Sequence, residues 1–298
     1  MIATANSELR QRVERLRSLP SSPALLKPLL ELLHQPPDKI SLDKLTQLVS
    51  YEETISAQLL RIANSPLYGR ARPAESIQAA IVTLGIQRIE DILLSSCIGK
   101  LVPADKWVVD LDIFWRHSFG CAMVCREFAD RIGYAEPEKA YLAGLLHDIG
   151  IIVNSLVYTE EYRATVAAAA SAGRPLVEQE QETLGFTHCD SGAILAKSWK
   201  LPSAIAEAIE WHHDVANAPQ GNPVIAITHL CDLLCRLRGL GYGYEEWRAI
   251  DLTADPAWTV LGNHCRRLAT IDLARLTLDL DTYLVKVTAL VDTIFSPA

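Results

Sequence analysis

The stretch Leu142-Ala143-Gly144-Leu145-Leu146-His147-Asp148-Ile149-Gly150 decides how the chain is read. Pro137 fits the first position of a helix, and residues 138–148 continue it with Tyr141, Leu142, Ala143, Leu145 and Leu146 spread over most of its faces. A helix that is apolar all round is a buried one. This one carries an imidazole and a carboxylate, side by side, into the interior. Burying either group is costly unless it is paired or coordinated. His147-Asp148 therefore marks a place where something must compensate charge.

Working outward, the period is helical almost everywhere. Ser22-Pro23 opens a Leu-rich helix that Pro36-Pro37 ends, and Leu42, Leu45 and Leu48-Val49 mark a second. Ile55, Leu59, Leu60 and Ile62 mark a third, stopped at Asn64-Ser65-Pro66. Helices follow over 76–84, closed by Gly85, and over 88–98. Beyond a loop with Pro103, residues 113–132 form a long helix with Gly133 as its left-handed cap. An Ala-rich helix runs from Thr159 to Gly173, and a short one ends at Gly185. Thr187-His188-Cys189-Asp190 resembles a capping box that launches residues 191–199. Pro202 starts a helix reaching His212-His213, Pro223 starts one reaching Arg238, and residues 273–294 form a last amphipathic helix. No strand and no repeat is visible. The expected fold is all-α, built from packed short helices.

Length and composition agree. The chain has 298 residues, 49% hydrophobic and 21% charged, which excludes a disordered or collagen-like chain. A formal net charge of −8 argues against direct nucleic-acid binding and against an anionic membrane surface. The first twenty residues are too polar for a secretion signal, and no run of about 18 uncharged apolar residues suggests a membrane span. The seven cysteines then read as reduced thiols in a cytoplasm. Three parts are expected: a helical N-terminal part over 1–102, a core over 103–240 and a helical extension over 241–298.

His147-Asp148 has company. His117 lies inside a helix, His188 opens a capped one, His212 and His213 end another, and Asp232 sits in the apolar run Ala226-Ile227-Thr228-His229-Leu230-Cys231-Asp232-Leu233-Leu234. Imidazoles and carboxylates together suit a divalent ion such as Fe, Mn, Zn, Ni or Mg. His117, His147, Asp148, His188, His212, His213 and Asp232 are too many for one tetrahedral ion and fit two that share a bridging carboxylate. Paired ions about 3.5–4 Å apart are a device for hydrolysing phosphoesters. The plain alternatives are a satisfied core histidine at each place, the helix dipole for His212-His213, and a pairing of Asp232 with Arg236 one turn on. Each alternative is reasonable alone, and the coincidence of so many sites weighs against all of them together.

The order His117, His147-Asp148, Asp232 resembles the metal-ligand order of the HD superfamily of metal-dependent phosphohydrolases. His188 and the His212-His213 pair resemble its two-metal subgroup, which includes cyclic-di-GMP phosphodiesterases of the HD-GYP type. A nearer resemblance is to the HDOD domain, the HD-related output domain of bacteria. It is carried by Leu19-Pro20, by Ser56-Ala57-Gln58-Leu59-Leu60-Arg61-Ile62-Ala63-Asn64-Ser65-Pro66-Leu67-Tyr68-Gly69, and by Ser76-Ile77-Gln78-Ala79-Ala80-Ile81-Val82-Thr83-Leu84-Gly85. It spans about residues 19–240 and implies a multi-helix HD-like bundle and a part in bacterial signal transduction, with many members non-catalytic.

The chain departs from the catalytic pattern. Ile151 stands where active phosphodiesterases carry a phosphate-binding Lys, Ile113 where the HD-GYP pattern has a Glu ligand, and Asp214 to Pro219 lack the Gly-Tyr-Pro motif. Arg116 is the one cation that the sequence places near His117. No residue is assigned a catalytic role. The expected function is a regulatory output module that binds divalent metal and acts on a signalling protein partner or a small nucleotide ligand. The alternative is a phosphohydrolase acting on a nucleotide or cyclic (di)nucleotide.

Weaker features take plainer readings. Cys121/Cys125 and Cys231/Cys235, each spaced i, i+4, read as small buried hydrophobes. His229 and Trp211 read as packing residues, and the Arg10, Arg12, Arg15, Arg17 stretch as a solvated amphipathic helix.

Overall fold

The computed structural model of the chain describes residues 103–219, 221–247, 251–265 and 267–295, and ahead of them 39, 41–50, 56, 59, 60, 62–64, 73–86, 89, 92 and 93. The expected helix after Ser22-Pro23, the Leu19-Pro20 pair, the arginine-bearing N-terminal stretch and most of 56–69 and 88–98 lie outside the described residues. Two compact units form, one within 104–284 and one from the described parts of 18–103 and 285–298.

In the smaller unit, α1 (Leu42–Ser50) packs against α2 (Ile77–Leu84). Ser76 caps α2 by accepting the Ala79 N–H at 3.1 Å. The Asn64 side-chain amide bonds both backbone groups of Ala74: it donates to the Ala74 carbonyl at 3.0 Å and accepts the Ala74 N–H at 2.5 Å.

The larger unit holds α3 (Leu111–Ile132), α4 (Pro137–Leu146), α5 (Ile149–Val157), α6 (Thr159–Ala172), α7 (Leu176–Leu184), α8 (His188–Ser198), α9 (Ser203–Trp211), α10 (Pro223–Leu237), α11 (Ala257–His264) and the start of α12 (Leu273–Phe295). No strand occurs among the described residues. Asp110 caps α3 by accepting the N–H groups of Asp112 and Ile113, and Gly133 ends it at φ 72°. Thr187 and Asp190 make the expected capping box on α8.

The helix expected over 138–148 ends two residues early, and a second helix follows at once. α4 ends at Leu146, α5 begins at Ile149, and His147-Asp148 is the joint between them. By composition the stretch Pro137–Val157 is long and apolar enough to cross a membrane, but most of it is buried within the unit. Its glycines explain how closely its neighbours approach. A Cβ on Gly144 would lie 2.9 Å from the Ala122 Cα of α3, and one on Gly150 would lie 1.8 Å from the His188 carbonyl oxygen of α8. Glycine at these positions lets α3 and α8 close on the joint from two sides.

Beside the joint, α3, α10 and α11 enclose an apolar core that includes Phe128, Ile225, Leu230, Leu234, Leu261 and the four thiols of Cys121, Cys125, Cys231 and Cys235. Burial pushes the Cys121 and Cys125 thiols up, which keeps them protonated and inert. Trp211 packs against the same core.

Candidate metal centre

The joint places His147 and Asp148 where the ends of α8 and α9 and the middles of α3 and α10 converge. Each imidazole is pinned from behind through Nδ1. His117 Nδ1 bonds the Leu240 carbonyl at 2.5 Å, His147 the Gly144 carbonyl at 2.8 Å, and His212 the Ile209 carbonyl at 3.0 Å. A carbonyl only accepts, so these Nδ1 atoms carry protons and each Nε2 is left facing inward. His188 is held by a carboxylate instead. Glu180 of α7 accepts both its Nδ1–H at 2.6 Å and its backbone N–H at 2.9 Å. Glu180 is itself bonded by the Tyr162 hydroxyl at 2.7 Å.

The inward atoms crowd round two carboxylates. Asp148 Oδ2 lies 3.1 Å from His117 Nε2 and 3.2 Å from His147 Nε2, and Asp148 Oδ1 lies 3.3 Å from His188 Nε2 and 3.6 Å from His212 Nε2. Asp232 Oδ1 lies 3.3 Å from His117 Nε2 and 3.7 Å from His147 Nε2. The Nε2 atoms of His117 and His147 face each other at 3.1 Å. With both rings neutral and protonated at Nδ1, two lone pairs would face each other there, a repulsion that a shared proton or a bound cation relieves. Asp148 Oδ1, Asp232 Oδ2 and His188 Nε2 are buried without a hydrogen-bond partner. Buried polar atoms are seldom left so, and an ion is one of the explanations for such atoms.

His117, His147 and Asp148 offer ligand atoms within 4.8 Å of one another, and so do His188, Cys189, His212 and His213. The donor set is imidazole and carboxylate with an Nδ1-pinned outer layer, the arrangement that orients rings for a metal. The residues present therefore fit one or two divalent ions. All seven residues singled out in the sequence come together here.

The electrostatics follow from the crowding. Burial alone lowers the His117 imidazolium, but bonds to Asp148 and Asp232 outweigh it, and its pKa is pushed up to about 10. His147, His188 and His212 are also raised, against burial, by the neighbouring carboxylates and, for His212, by Cys189. Burial would raise Asp148, yet the His147 charge and bonds from His117, His147 and His212 hold it well below the usual carboxylate range. Without metal, the rings thus keep the protons that an ion would displace.

His213 differs from the others. Burial and the charges of His212, Arg236 and His188 push it well below the ordinary histidine value. Its neutral Nε2 accepts from Arg236 Nη2 at 3.2 Å.

Besides Cys189, four contributors were not read from the sequence as parts of the site. Glu180 is one. Arg236 is a second: its Nε donates to Asp232 Oδ1 at 2.9 Å, the pairing that the sequence offers as an alternative to metal binding. The same Asp232 oxygen also lies 3.3 Å from His117 Nε2, so the ion pair leaves it facing the cluster. Tyr242 is the third, its hydroxyl donating to Asp148 Oδ2 at 2.7 Å, and Glu246 the fourth, on Arg236 Nη1 at 3.0 Å. The Gly-Tyr alternation of 241–244 was their only sequence signal. Arg116, expected near the site, instead pairs with Asp112 at 2.6 Å and is partly exposed. Ile151 is buried and places no charge here. His229 holds the His212 carbonyl through Nδ1 at 2.6 Å and Asp255 through Nε2 at 2.9 Å, so it braces the site from outside.

Comparison with known proteins agrees with this architecture. A structure of an HDOD domain protein of unknown function from Geobacter sulfurreducens has 27% sequence identity and a TM-score of 0.77, covering 98% of this chain and 99% of that one. A candidate phosphohydrolase from Shewanella amazonensis SB2B shares the fold at 23% identity and a TM-score of 0.69, covering 95% and 97%. An uncharacterised protein of Treponema pallidum (strain Nichols) is 22% identical over 248 residues, 82% of this chain. The chain spans about half, 48%, of that relative's length. The family model of the HDOD domain matches residues 19–215, well over half of the sequence. The chain belongs to the HDOD domain family.

Proposed function

We propose that this chain is a metal-binding regulatory module of bacterial signalling that responds to a small ligand or a protein partner rather than turning over a substrate. His117, His147, Asp148, His188, His212 and Asp232 would hold one or two divalent ions, with His213 joining them when Arg236 releases its ring. One observation carries the reading. Four Nδ1-pinned imidazoles turn Nε2 toward Asp148 and Asp232, while Asp148 Oδ1, Asp232 Oδ2 and His188 Nε2 lack partners. A bound ion would supply Lewis acidity there. The chain's own residues pin the rings, exclude water and keep the cluster closed, since the side chains of His117, His147, Asp148, His188, His212 and Asp232 are all fully buried. A closed site with Ile151 in place of a phosphate-binding Lys favours regulation.

The second reading is a phosphohydrolase, favoured by the bridging position of Asp148 between two pairs of imidazoles. Elemental analysis of protein purified without chelator, with an assay of a generic phosphodiester on wild type and Asp148→Ala, separates them. We expect close to one or two equivalents of metal and no turnover that depends on Asp148. Less than about a third of an equivalent of any divalent metal sinks the metal centre, and turnover abolished by Asp148→Ala reverses the ranking.

A further inference from the structure

Arg236 is the one guanidinium, among the described residues, in contact with the site carboxylates, and its surroundings are unusual. Its side chain is 9% exposed. Every nitrogen is used: Nε on Asp232 at 2.9 Å, Nη1 on Glu246 Oε1 and Oε2 at 3.0 and 3.3 Å, and Nη2 on the Tyr242 hydroxyl at 3.0 Å and His213 Nε2 at 3.2 Å. The guanidinium also lies over the Tyr242 ring, 4.8 Å from its centroid. Asp232, on the same helix, is fixed one turn away. Glu246 and Tyr242 come from the segment 240–247, which has no regular structure and crosses the site.

Besides its bonds with Arg236 and the Leu240 N–H bond to the Cys235 carbonyl at 2.9 Å, that segment has these further attachments. The Leu240 carbonyl meets His117, the Tyr242 hydroxyl meets Asp148, the Tyr244 hydroxyl donates to the Arg174 carbonyl at 3.0 Å, and the Trp247 N–H donates to the Gly173 carbonyl at 2.8 Å. Gly239 and Gly243 sit at φ 78° and 88°, so the strap turns where only glycine turns easily. The Glu246 side chain is 15% exposed, more than that of Asp232, which is fully buried.

We propose that Arg236 is the anion clamp of this site, and that Glu246 occupies it in place of a phosphate-bearing ligand. Both carboxylate oxygens of Glu246 share the single nitrogen Nη1, a charge-assisted contact that a phosphoryl oxygen can take in their place. The Tyr242 hydroxyl, next to both Arg236 and Asp148, marks where another phosphoryl oxygen would sit. Glu246 is the displaceable member, because it lies on the irregular strap and is partly exposed, while Asp232 is fully buried on a helix. The clamp supplies the cation that Ile151 withholds. This rests on the metal-centre reading for the ligand's second contact, and names the ligand class of that site: a phosphate ester or phosphoanhydride that lifts Glu246 away.

The test uses the full chain with the metal it retains, and inorganic phosphate as the probe in isothermal titration. Glu246→Gln keeps the shape and removes the competing charge. It is expected to bind phosphate about tenfold more tightly than wild type, a change of about 1.4 kcal/mol. Adding Arg236→Met to Glu246→Gln is expected to abolish the gain. An unchanged affinity in Glu246→Gln overturns the clamp, as does a double variant that binds as tightly as the single one. If the double variant does not fold, Glu246→Gln decides alone. Metal content of the same samples keeps the two readings apart. A metal-free chain that gains phosphate affinity through Glu246→Gln keeps the clamp and loses the centre; a metal-bound chain indifferent to Glu246 does the reverse.

Discussion

Replacing Gly150 by Ala tests whether the site depends on the close approach of α5 and α8. The added Cβ would stand 1.8 Å from the His188 carbonyl oxygen, 2.6 Å from its carbon and 2.8 Å from the Gly192 nitrogen. All three are backbone atoms, so no side chain can swing aside. Ordinary contact requires about 3.4 Å or more, and the helices must part by roughly 1.5 Å, which places the cost at the upper end of overpacking, about 3 kcal/mol. The unit that carries the change lies within 104–284. For a domain of that size the loss corresponds to roughly 6–12 °C in Tm. The same movement carries His188 away from Asp148 Oδ1, now 3.3 Å from its Nε2, so metal retention falls with stability. Differential scanning calorimetry with elemental analysis reads both. Gly185→Ala is the control: that residue is at φ 73° with open space around it, and its cost is only the left-handed backbone, about 1–2 kcal/mol. A Gly150→Ala protein that melts no lower than Gly185→Ala, or that keeps its full metal content, would refute the close-approach argument.

Two other perturbations separate the supports of the site. Glu180→Gln leaves the shape of α7 but takes the charge from the bond to His188 Nδ1 at 2.6 Å, so metal affinity in a chelator competition is expected to drop about tenfold; an unchanged affinity means that Glu180 does not orient the ring. In the metal-free protein the folded pKa of His117, about 10, lies above the ordinary value of 6.5. The folded chain then binds more protons than the unfolded one between those values. This contribution to stability is full below about pH 6.5 and is lost as pH rises toward 10. Urea unfolding of chelator-treated protein across that window is expected to show falling stability, and a flat or rising profile contradicts the assignment.

How much of this was legible depends on what each residue announces. His147-Asp148 announces itself, because a charge-bearing pair in an all-apolar segment has no cheap place to go. His188 is legible through its capping box and His212-His213 through their helix end. The end of that helix was legible to within two residues, but the immediate restart at Ile149 was not, since Ile149-Gly150-Ile151-Ile152 carries no cap residue. Glu180 is invisible for a different reason. In Leu176–Leu184 the sequence is Leu-Val-Glu-Gln-Glu-Gln-Glu-Thr-Leu, and an acid there reads as a solvated face; only the packing of α7 beside the start of α8 turns this one inward. Arg116 misled because it is adjacent to His117, and adjacent residues on a helix point about 100° apart. Arg236 sits four residues from Asp232, and that spacing does put two side chains on one face.

The Asp232–Arg236 pair also links the two halves of the site. In the metal-free arrangement Asp232 is held well below the usual carboxylate range, against burial, by Arg236 and then by His117 and His147. An ion beside Asp232 would supply the positive charge that Arg236 now supplies, and would leave the guanidinium less tightly committed at Nε. Metal loading and anion capture therefore favour one another through a single carboxylate. Thermodynamic reciprocity requires the effect to run both ways: an anion that draws Arg236 from Asp232 strengthens the hold of Asp232 on metal by the same factor. The strap sets the threshold, because Glu246 must leave before an anion can act on Arg236 at all.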